Sequence, residues 1–397
     1  IRLGEPDQNA ENRSALTVAI LPFRSSIDDR HWGEGLAEDL IAALSRFTTI
    51  AVFSRDSTFS FNPDADPRRV SVDLGVRFVV SGSVAVGRSQ FRLSIRLLDG
   101  SSGAVAWAER YVCRADEVFD VQDQLVEKIV ATLAGRLEHT SAETVLRKRP
   151  ENLSAFDLLL KGRQYADKLD PQSARNAIAC FEKALAAEPN YSEAMAMLAL
   201  MRLRDWALNP GSGELDEVAR IAERALALDP ADSWCHLVAG QIDMYRKRLD
   251  IAEIRHKKAH ALNPYDARIL ALWSPLATYL GKPDEGRTRI EQAMTLNPLH
   301  PAWYETNLGL ACYCSGAYDE GAAVYSSVPE PQVGVLAGLV ACRAQLQDAD
   351  GAAEARSALL RVAPDFRAQR FVDMRPFKFG SDREHLLDGL RKGGLPS

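Results

Sequence analysis

The stretch Arg255-His-Lys-Lys-Ala-His-Ala-Leu-Asn-Pro264 ends a helical pattern with alanine, a few residues and then proline. Phe181-Glu-Lys-Ala-Leu-Ala-Ala-Glu-Pro189, Ile221-Ala-Glu-Arg-Ala-Leu-Ala-Leu-Asp-Pro230 and Arg289-Ile-Glu-Gln-Ala-Met-Thr-Leu-Asn-Pro298 end in the same way, and weaker matches close at Pro329 and Pro364. These six prolines are spaced by 41, 34, 34, 31 and 35 residues. A period near 34 is that of a helical hairpin, which cannot bury its apolar face alone and therefore stacks on its neighbours.

Small residues recur where the two helices of each pair must touch. Gly162, Ala199, Gly240, Ser274 and Gly309 fall on first helices, and Ala177, Ala252, Gly286, Gly321 and Ala352 face them. Ala184, Ala225, Ala259 and Ala293 repeat on second helices. Only small side chains let helix axes approach closely. Asn209-Pro-Gly-Ser-Gly213 explains the long step, and Val328 replaces the expected alanine in a shortened fifth unit. In period and small-residue pattern the array resembles the tetratricopeptide (TPR) family, with about six units over residues 153–365 and a cap over 366–397.

That resemblance implies a concave groove lined by first helices. Carried over residue by residue, it places Trp234, Leu237, Gln241, Met244, Tyr245, Arg268, Tyr279 and Tyr313 there. A mainly aromatic and aliphatic groove suits an amphipathic helix or an extended peptide. Some of these aromatics can instead pack between neighbouring repeats, since an aromatic at helical spacing serves the core as readily as a contact.

The first part of the chain has a different period. Leu16–Phe23, Thr49–Phe53 and Val76–Val84 read as strands, and the alternating Phe91–Leu97 and Ala104–Tyr111, split by Asp99-Gly100, read as a hairpin. Helices are expected over residues 33–47, 67–74 and about 116–137; the first carries Leu36, Leu40, Ile41, Leu44 and Phe47 as one apolar stripe. The order β-α-β-α-β-β-β-α predicts an α/β domain with a mixed sheet over residues 15–140, a preceding linker over 1–14 and a separable linker over 141–152.

The strings LPF, GLAEDLIAALSRF, LGVRFVVSGSV, RLLDGSSGAVAWAERY and VFDVQDQLVEKIV, continued by Arg149–Phe156, together resemble the TolB-type amino-terminal domain. In many bacteria that domain links an upstream class III adenylate/guanylate cyclase, or a winged-helix transcription factor, to TPR repeats. The resemblance therefore implies a non-catalytic regulatory region, with any enzymatic output in an upstream segment. It leaves two alternatives open: the sensory region of a winged-helix regulator, and a small-molecule receptor working through the α/β domain.

Composition narrows the partners. The net charge is -6, and residues 1–140 carry 16 basic against 20 acidic side chains, so neither part has the basic excess that phosphate neutralisation requires. The expected partner is a protein or peptide, with no direct nucleic acid. No apolar run approaches the length needed to span a bilayer, and residues 1–13 have no signal-peptide core. The chain begins without methionine, which suggests a fragment with a domain upstream. Six cysteines without a C-x-x-C pair suit reduced core thiols and a bacterial cytoplasm, with the periplasmic side of an anchored regulator left open.

Candidate chemistry is sparse. Gly33-Glu-Gly35 lacks the third glycine of a phosphate loop, has Glu38 in its place, and reads as a helix entry. His256 and His260, with His236 in the same repeat, lack the in-line glutamate of a zinc motif and are flanked by Lys257 and Lys258. Arg246-Lys-Arg248 with Arg255, Lys257 and Lys258 is the densest basic cluster, either a solvated face or a receiver for an acidic partner. Ser81-Gly-Ser83 sits inside a strand, and no nucleophile elbow, metal set or cofactor motif is present.

Overall fold

The computed structural model describes residues 16–26, 29–87, 89–114, 124–137, 154–208, 214–298, 300–329 and 331–396. The chain divides into two compact units, Ile1–Leu160 and Lys161–Ser397. The expected linker over 141–152 lies outside the described residues.

In the first unit, β1 (Leu16–Ile20), β2 (Ile50–Val52), β3 (Phe78–Val86), β4 (Gln90–Asp99) and β5 (Val105–Arg114) form one sheet in the order β2-β1-β3-β4-β5. β1 runs parallel to both β2 and β3, while β3, β4 and β5 pair antiparallel. The interior β1 is mainly apolar, with Val18, Ala19 and Ile20 fully buried. Along β4, Phe91, Leu93, Ile95 and Leu97 alternate with Arg92 and Arg96, which puts one face in the core and the other toward solvent.

The helices of this unit are α1 (Arg30–Leu44), α2 (Arg55–Thr58), α3 (Pro67–Leu74) and α4, described over residues 124–137. The α3 sequence contains its own limits. The Asp66 carboxylate accepts from the Arg68 amide at 3.0 Å, Pro67 occupies the first turn, and Gly75 ends the helix at φ +67°. The short α2 was not expected.

One expectation is corrected here. α1 begins at Arg30, three residues early, because Gly33 lies inside it and allows the main chain to pass close to the Phe23 carbonyl; a Cβ there would sit 2.5 Å from that oxygen. β4 and β5 form the expected hairpin, and its loop is organised around Asp99. The Asp99 carboxylate accepts the amides of Ser101 (3.1 Å) and Ser102 (2.9 Å), and Gly103 takes the left-handed conformation at φ +72°.

From Ala155 onward the chain is built from helical hairpins. Six pairs follow in order: α5 (Ala155–Ala166) with α6 (Pro171–Ala187), α7 (Ser192–Leu208) with α8 (Leu215–Leu228), and α9 (Ser233–Tyr245) with α10 (Leu249–Leu262). The remaining three are α11 (Ala267–Tyr279) with α12 (Pro283–Leu296), α13 (Trp303–Cys314) with α14 (Tyr318–Ser327), and α15 (Val333–Gln345) with α16 (Ala349–Val362). Two further helices, α17 (Ala368–Asp373) and α18 (Gly380–Lys392), complete the chain.

An Asp/Asn-Pro-x-Asp element builds two of the inter-repeat corners. Asn263 accepts from the Tyr265 amide at 3.2 Å to make the turn, and Asp266 then caps α11 by accepting from Arg268 N at 2.9 Å. Asp229 and Asp232 do the same before α9. Within pairs the small residues serve close approach. A Cβ on Gly162 would strike the Phe181 ring, one on Gly240 the His256 imidazole, and one on Gly286 the Ser274 carbonyl. Ala184, Ala225, Ala259 and Ala293 are completely buried. The fifth pair has the shortened second helix, ten residues in α14 against fourteen in α12.

The array is therefore an all-α solenoid following an α/β domain. Its carboxy-terminal helices turn back onto first helices: Leu386, Leu387 and Leu390 of α18 share one apolar cluster with Val335, Leu336, Leu339 and Val340 of α15.

Candidate functional site

Groups on the first helices converge on a chamber of about 310 Å³ on the inner face of the array. Its walls come from α7 (Met197, Leu200, Met201, Arg204), α9 (Trp234, Gln241, Met244, Tyr245), α11 (Arg268, Leu272, Pro275, Tyr279) and α13 (Trp303, Thr306, Asn307, Leu310). Asp167 and Leu169 from the turn after α5, and Phe371, Arg375 and Leu386 from the carboxy-terminal helices, close it further. Every one of these residues is buried or half-buried and none is freely exposed.

Curvature of the solenoid brings distant repeats together around this space. Arg268 at the start of α11 reaches Asp167, 101 residues earlier, with N to O at 3.0 Å. Leu169 packs against the apolar cluster of α15 and α18. The inner face consequently holds a partly enclosed chamber. A volume of this size takes side chains or a short extended segment, while a whole α-helix with its side chains is about 10–12 Å across.

Six of the eight groove residues named from sequence line this chamber: Trp234, Gln241, Met244, Tyr245, Arg268 and Tyr279. Leu237 and Tyr313 do not. Leu237 is wholly buried within the array, and Tyr313 is held by the carboxy-terminal segment, its hydroxyl donating to the His385 carbonyl at 2.8 Å and its ring stacked on His385 at 4.8 Å. Both are core positions, as packing between repeats demands.

Several of the six are also structural. Trp234 lies beneath the Arg163 guanidinium at 4.9 Å and donates from its indole to Asp266 at 3.0 Å. Arg163 in turn pairs with the buried Glu193. Gln241 donates from Nε2 to His256 Nε2 at 2.9 Å and to the Leu272 carbonyl at 2.7 Å, and His256 Nδ1 donates to the Ala252 carbonyl at 2.7 Å. Both imidazole nitrogens are thus used, and burial pushes His256 down to about 4, so it is neutral near pH 7. Among the described residues no group of three or more histidines, cysteines or acids is placed to hold a metal.

Pro275 is the feature that the sequence reading passed over. It lies inside α11 and has no N–H for the Ala271 carbonyl one turn back. The Asn307 side chain on α13 supplies the missing donor, at 2.9 Å. A proline in an otherwise helical run was the available signal, and it locates the chamber, since Leu272, Pro275 and Asn307 all line it.

The other candidate features resolve into structure. Gly33 and Gly35 lie within α1, where Glu34 and Glu38 both pair with Arg55. In the basic cluster, Arg246 pairs with Asp216, Arg248 and Arg255 pair with the buried Asp243, and Lys257 pairs with Glu253 at 3.0 Å. Ser81-Gly-Ser83 is in β3. All six cysteines are free thiols. No helix among the described residues is long and apolar enough to cross a membrane.

The model of a family described as HilA/YgeH-like transcriptional regulator, second domain, matches residues 14–129. Over 245 residues the chain is 30% identical to "Putative adenylate cyclase 3" of Rhizobium meliloti (strain 1021), a match covering 60% of this chain and 42% of that protein. The chain thus spans well under half the length of this curated relative. Among solved structures it is similar to the APC/C hetero-tetramer Cut9-Hcn1 (TM-score 0.43, 17% identity, 60% of this chain and 45% of that one). It is also similar to TTC0263, a thermophilic TPR protein of Thermus thermophilus (TM-score 0.36, 22% identity, 52% and 100%).

Proposed function

We propose that this chain is a non-catalytic regulatory region of a bacterial signalling protein, corresponding to the carboxy-terminal part of a class III adenylate/guanylate cyclase-like protein. Its array binds a short segment of a peptide or protein partner, whose side chains enter the inner chamber. The observation that carries this reading is the convergence of Met244, Tyr245, Arg268 and Tyr279 from successive first helices on one partly enclosed, mainly apolar space. Likeness to the Rhizobium cyclase-named protein and the TolB-type resemblance of the α/β domain support the signalling context. A second reading, the sensory region of a winged-helix regulator, is favoured by the match of residues 14–129 to the second domain of a transcriptional regulator. The coding sequence immediately upstream of Ile1 separates the two.

Selection from a displayed peptide library tests the binding function. Extended peptides with one or two apolar anchors should be recovered, and Ala207→Trp, which fills the chamber from α7, should abolish their binding without lowering the melting temperature. Selected peptides that bind this variant as well as the parent would overturn the site. Formation of cyclic AMP from ATP and Mn²⁺ by the purified chain, abolished by a single carboxylate substitution, would overturn the non-catalytic reading.

A further inference from the structure

Apolar in its walls, the chamber is nevertheless cationic. Its charged lining residues are Arg204, Arg268 and Arg375 against the single Asp167, a local balance of +2 in a chain whose net charge is -6. Only Arg268 has a carboxylate within ion-pair distance, Asp167 at 3.0 Å. Arg204 spends its donors on the main-chain oxygens of Ala166 and Lys168, both at 3.0 Å.

Arg375 is the guanidinium left over. Its plane lies on the Phe371 ring at 3.3 Å, and one nitrogen donates to the Phe371 carbonyl at 2.6 Å, so the group is held in place by its own turn of chain. Among the described residues no carboxylate comes within 4.0 Å of it. Burial raises the Tyr245, Tyr279 and Tyr325 phenols, and the charge of Arg375 opposes that rise in each, as expected of a cation facing all three across the chamber. A half-buried guanidinium without a counter-charge keeps its capacity for charge-assisted hydrogen bonds to an anion. A second polar group is also unspent: Thr306, another lining residue, buries its hydroxyl with no hydrogen-bond partner.

We infer that the chamber is a receptor for a carboxylate carried on an apolar chain, with Arg375 reading the charge and Thr306 supplying a further hydrogen bond. The inference rests on the reading of the chamber as the binding site and names the chemistry of what enters it. The volume lies at the lower end of the usual range for small-ligand pockets, roughly 300–1,000 Å³. An apolar chain fits against Met197, Met201 and Leu310, and a planar guanidinium suits a carboxylate through paired, charge-assisted hydrogen bonds. The same chemistry is available from a free aliphatic acid or from the end of a peptide, and the test separates them.

Isothermal titration of the 397-residue chain uses decanoate, decanol and decyltrimethylammonium, together with a leucine-rich peptide bearing either a free or an amidated carboxy terminus. Decanoate should bind at one site at least about tenfold more tightly than decanol, and the ammonium should not bind. Arg375→Gln should erase the preference for acid over alcohol, Arg375→Lys should restore part of it, and Thr306→Val should weaken decanoate more than decanol. If only the peptide pair discriminates, with the free acid preferred, the carboxylate reading stands and the source is a peptide. Equal binding of decanoate and decanol together with equal binding of the free and amidated peptides, or acid preference that survives Arg375→Gln, overturns the charge reading while leaving the chamber as an apolar site. Decanoate binding unchanged by Ala207→Trp overturns it as well, because the acid then lies elsewhere. If no probe binds while library-selected peptides do, the inference fails and the partner-binding reading survives.

Discussion

Asn307 donates from its side-chain nitrogen to the main-chain oxygen of Ala271 at 2.9 Å, replacing the amide that Pro275 lacks. The proline in α11 and the donor on α13 are therefore one device, a gap in the helix's hydrogen bonding repaired from the next repeat.

A double-mutant cycle measures that device. Asn307→Ala should cost about 1–3 kcal/mol by leaving the Ala271 carbonyl unpaired. In a Pro275→Ala background, where the helix can supply its own amide, the same substitution should cost far less. Urea unfolding of the four proteins gives the coupling; additive effects would show that the two residues act independently.

The carboxy-terminal segment should prove integral to the array. Phe377 meets Tyr279 edge-on at 4.9 Å, and the Lys378 amide donates to the Tyr279 carbonyl at 2.8 Å. Leu387→Ala, in the cluster shared with α15, should destabilise by about 2–5 kcal/mol. Truncation after residue 365 should leave the last repeat exposed and prone to association, read by light scattering.

Tyr279 and Tyr245 should part company. Tyr279 is 5% exposed and supports Phe377, so Tyr279→Ala should lower stability by several kcal/mol, about the cost of other buried aromatic truncations. Tyr245 is half-buried, with the Trp206 ring edge-on at 6.1 Å, and Tyr245→Ala should cost less, about 1–2 kcal/mol, while weakening peptide binding. Ala259→Arg, at a position with no exposure, should unfold the array. Equal melting temperatures for Tyr245→Ala and Tyr279→Ala would contradict the difference in packing.

Stability should depend on pH through Asp232. Burial, reinforced by the nearby Glu193 charge, pushes this capping carboxyl up to about 7 from an ordinary 3.8. The folded state therefore holds a proton that the unfolded chain releases, so the stabilisation is present at low pH and lost as pH rises through 7. Between pH 6 and 8 the loss should be about 1 kcal/mol. His256 acts in the opposite sense, since its depressed value costs stability only as pH falls from 6.5 toward about 4, and the window above 6.5 isolates the aspartate. Asp232→Asn keeps an acceptor for the Trp234 amide and should flatten the profile between pH 6 and 8; an unchanged slope in urea midpoints would assign the dependence elsewhere.

Local rules made the elements legible. Asp66-Pro67 and Gly75 mark both ends of α3, the recurring alanine-to-proline helix endings mark the repeat period, and alternation along Phe91–Leu97 marks a strand, because each signal depends on a few neighbouring residues. Small residues such as Gly162 and Gly240 likewise foretold close helix contacts, a steric need that does not depend on distant sequence. The site was only partly legible. The family resemblance put eight residues in a groove of first helices, yet the chamber excludes Leu237, which is buried within the array, and Tyr313, which the returning α18 holds. Arg375, Asn307 and Asp167 join it from a terminal segment, a fifth repeat and a turn 101 residues from Arg268. Sequence fixes which face of a helix looks inward; how far the stacked repeats curve, and therefore which inward faces meet, is set by packing summed over the whole array.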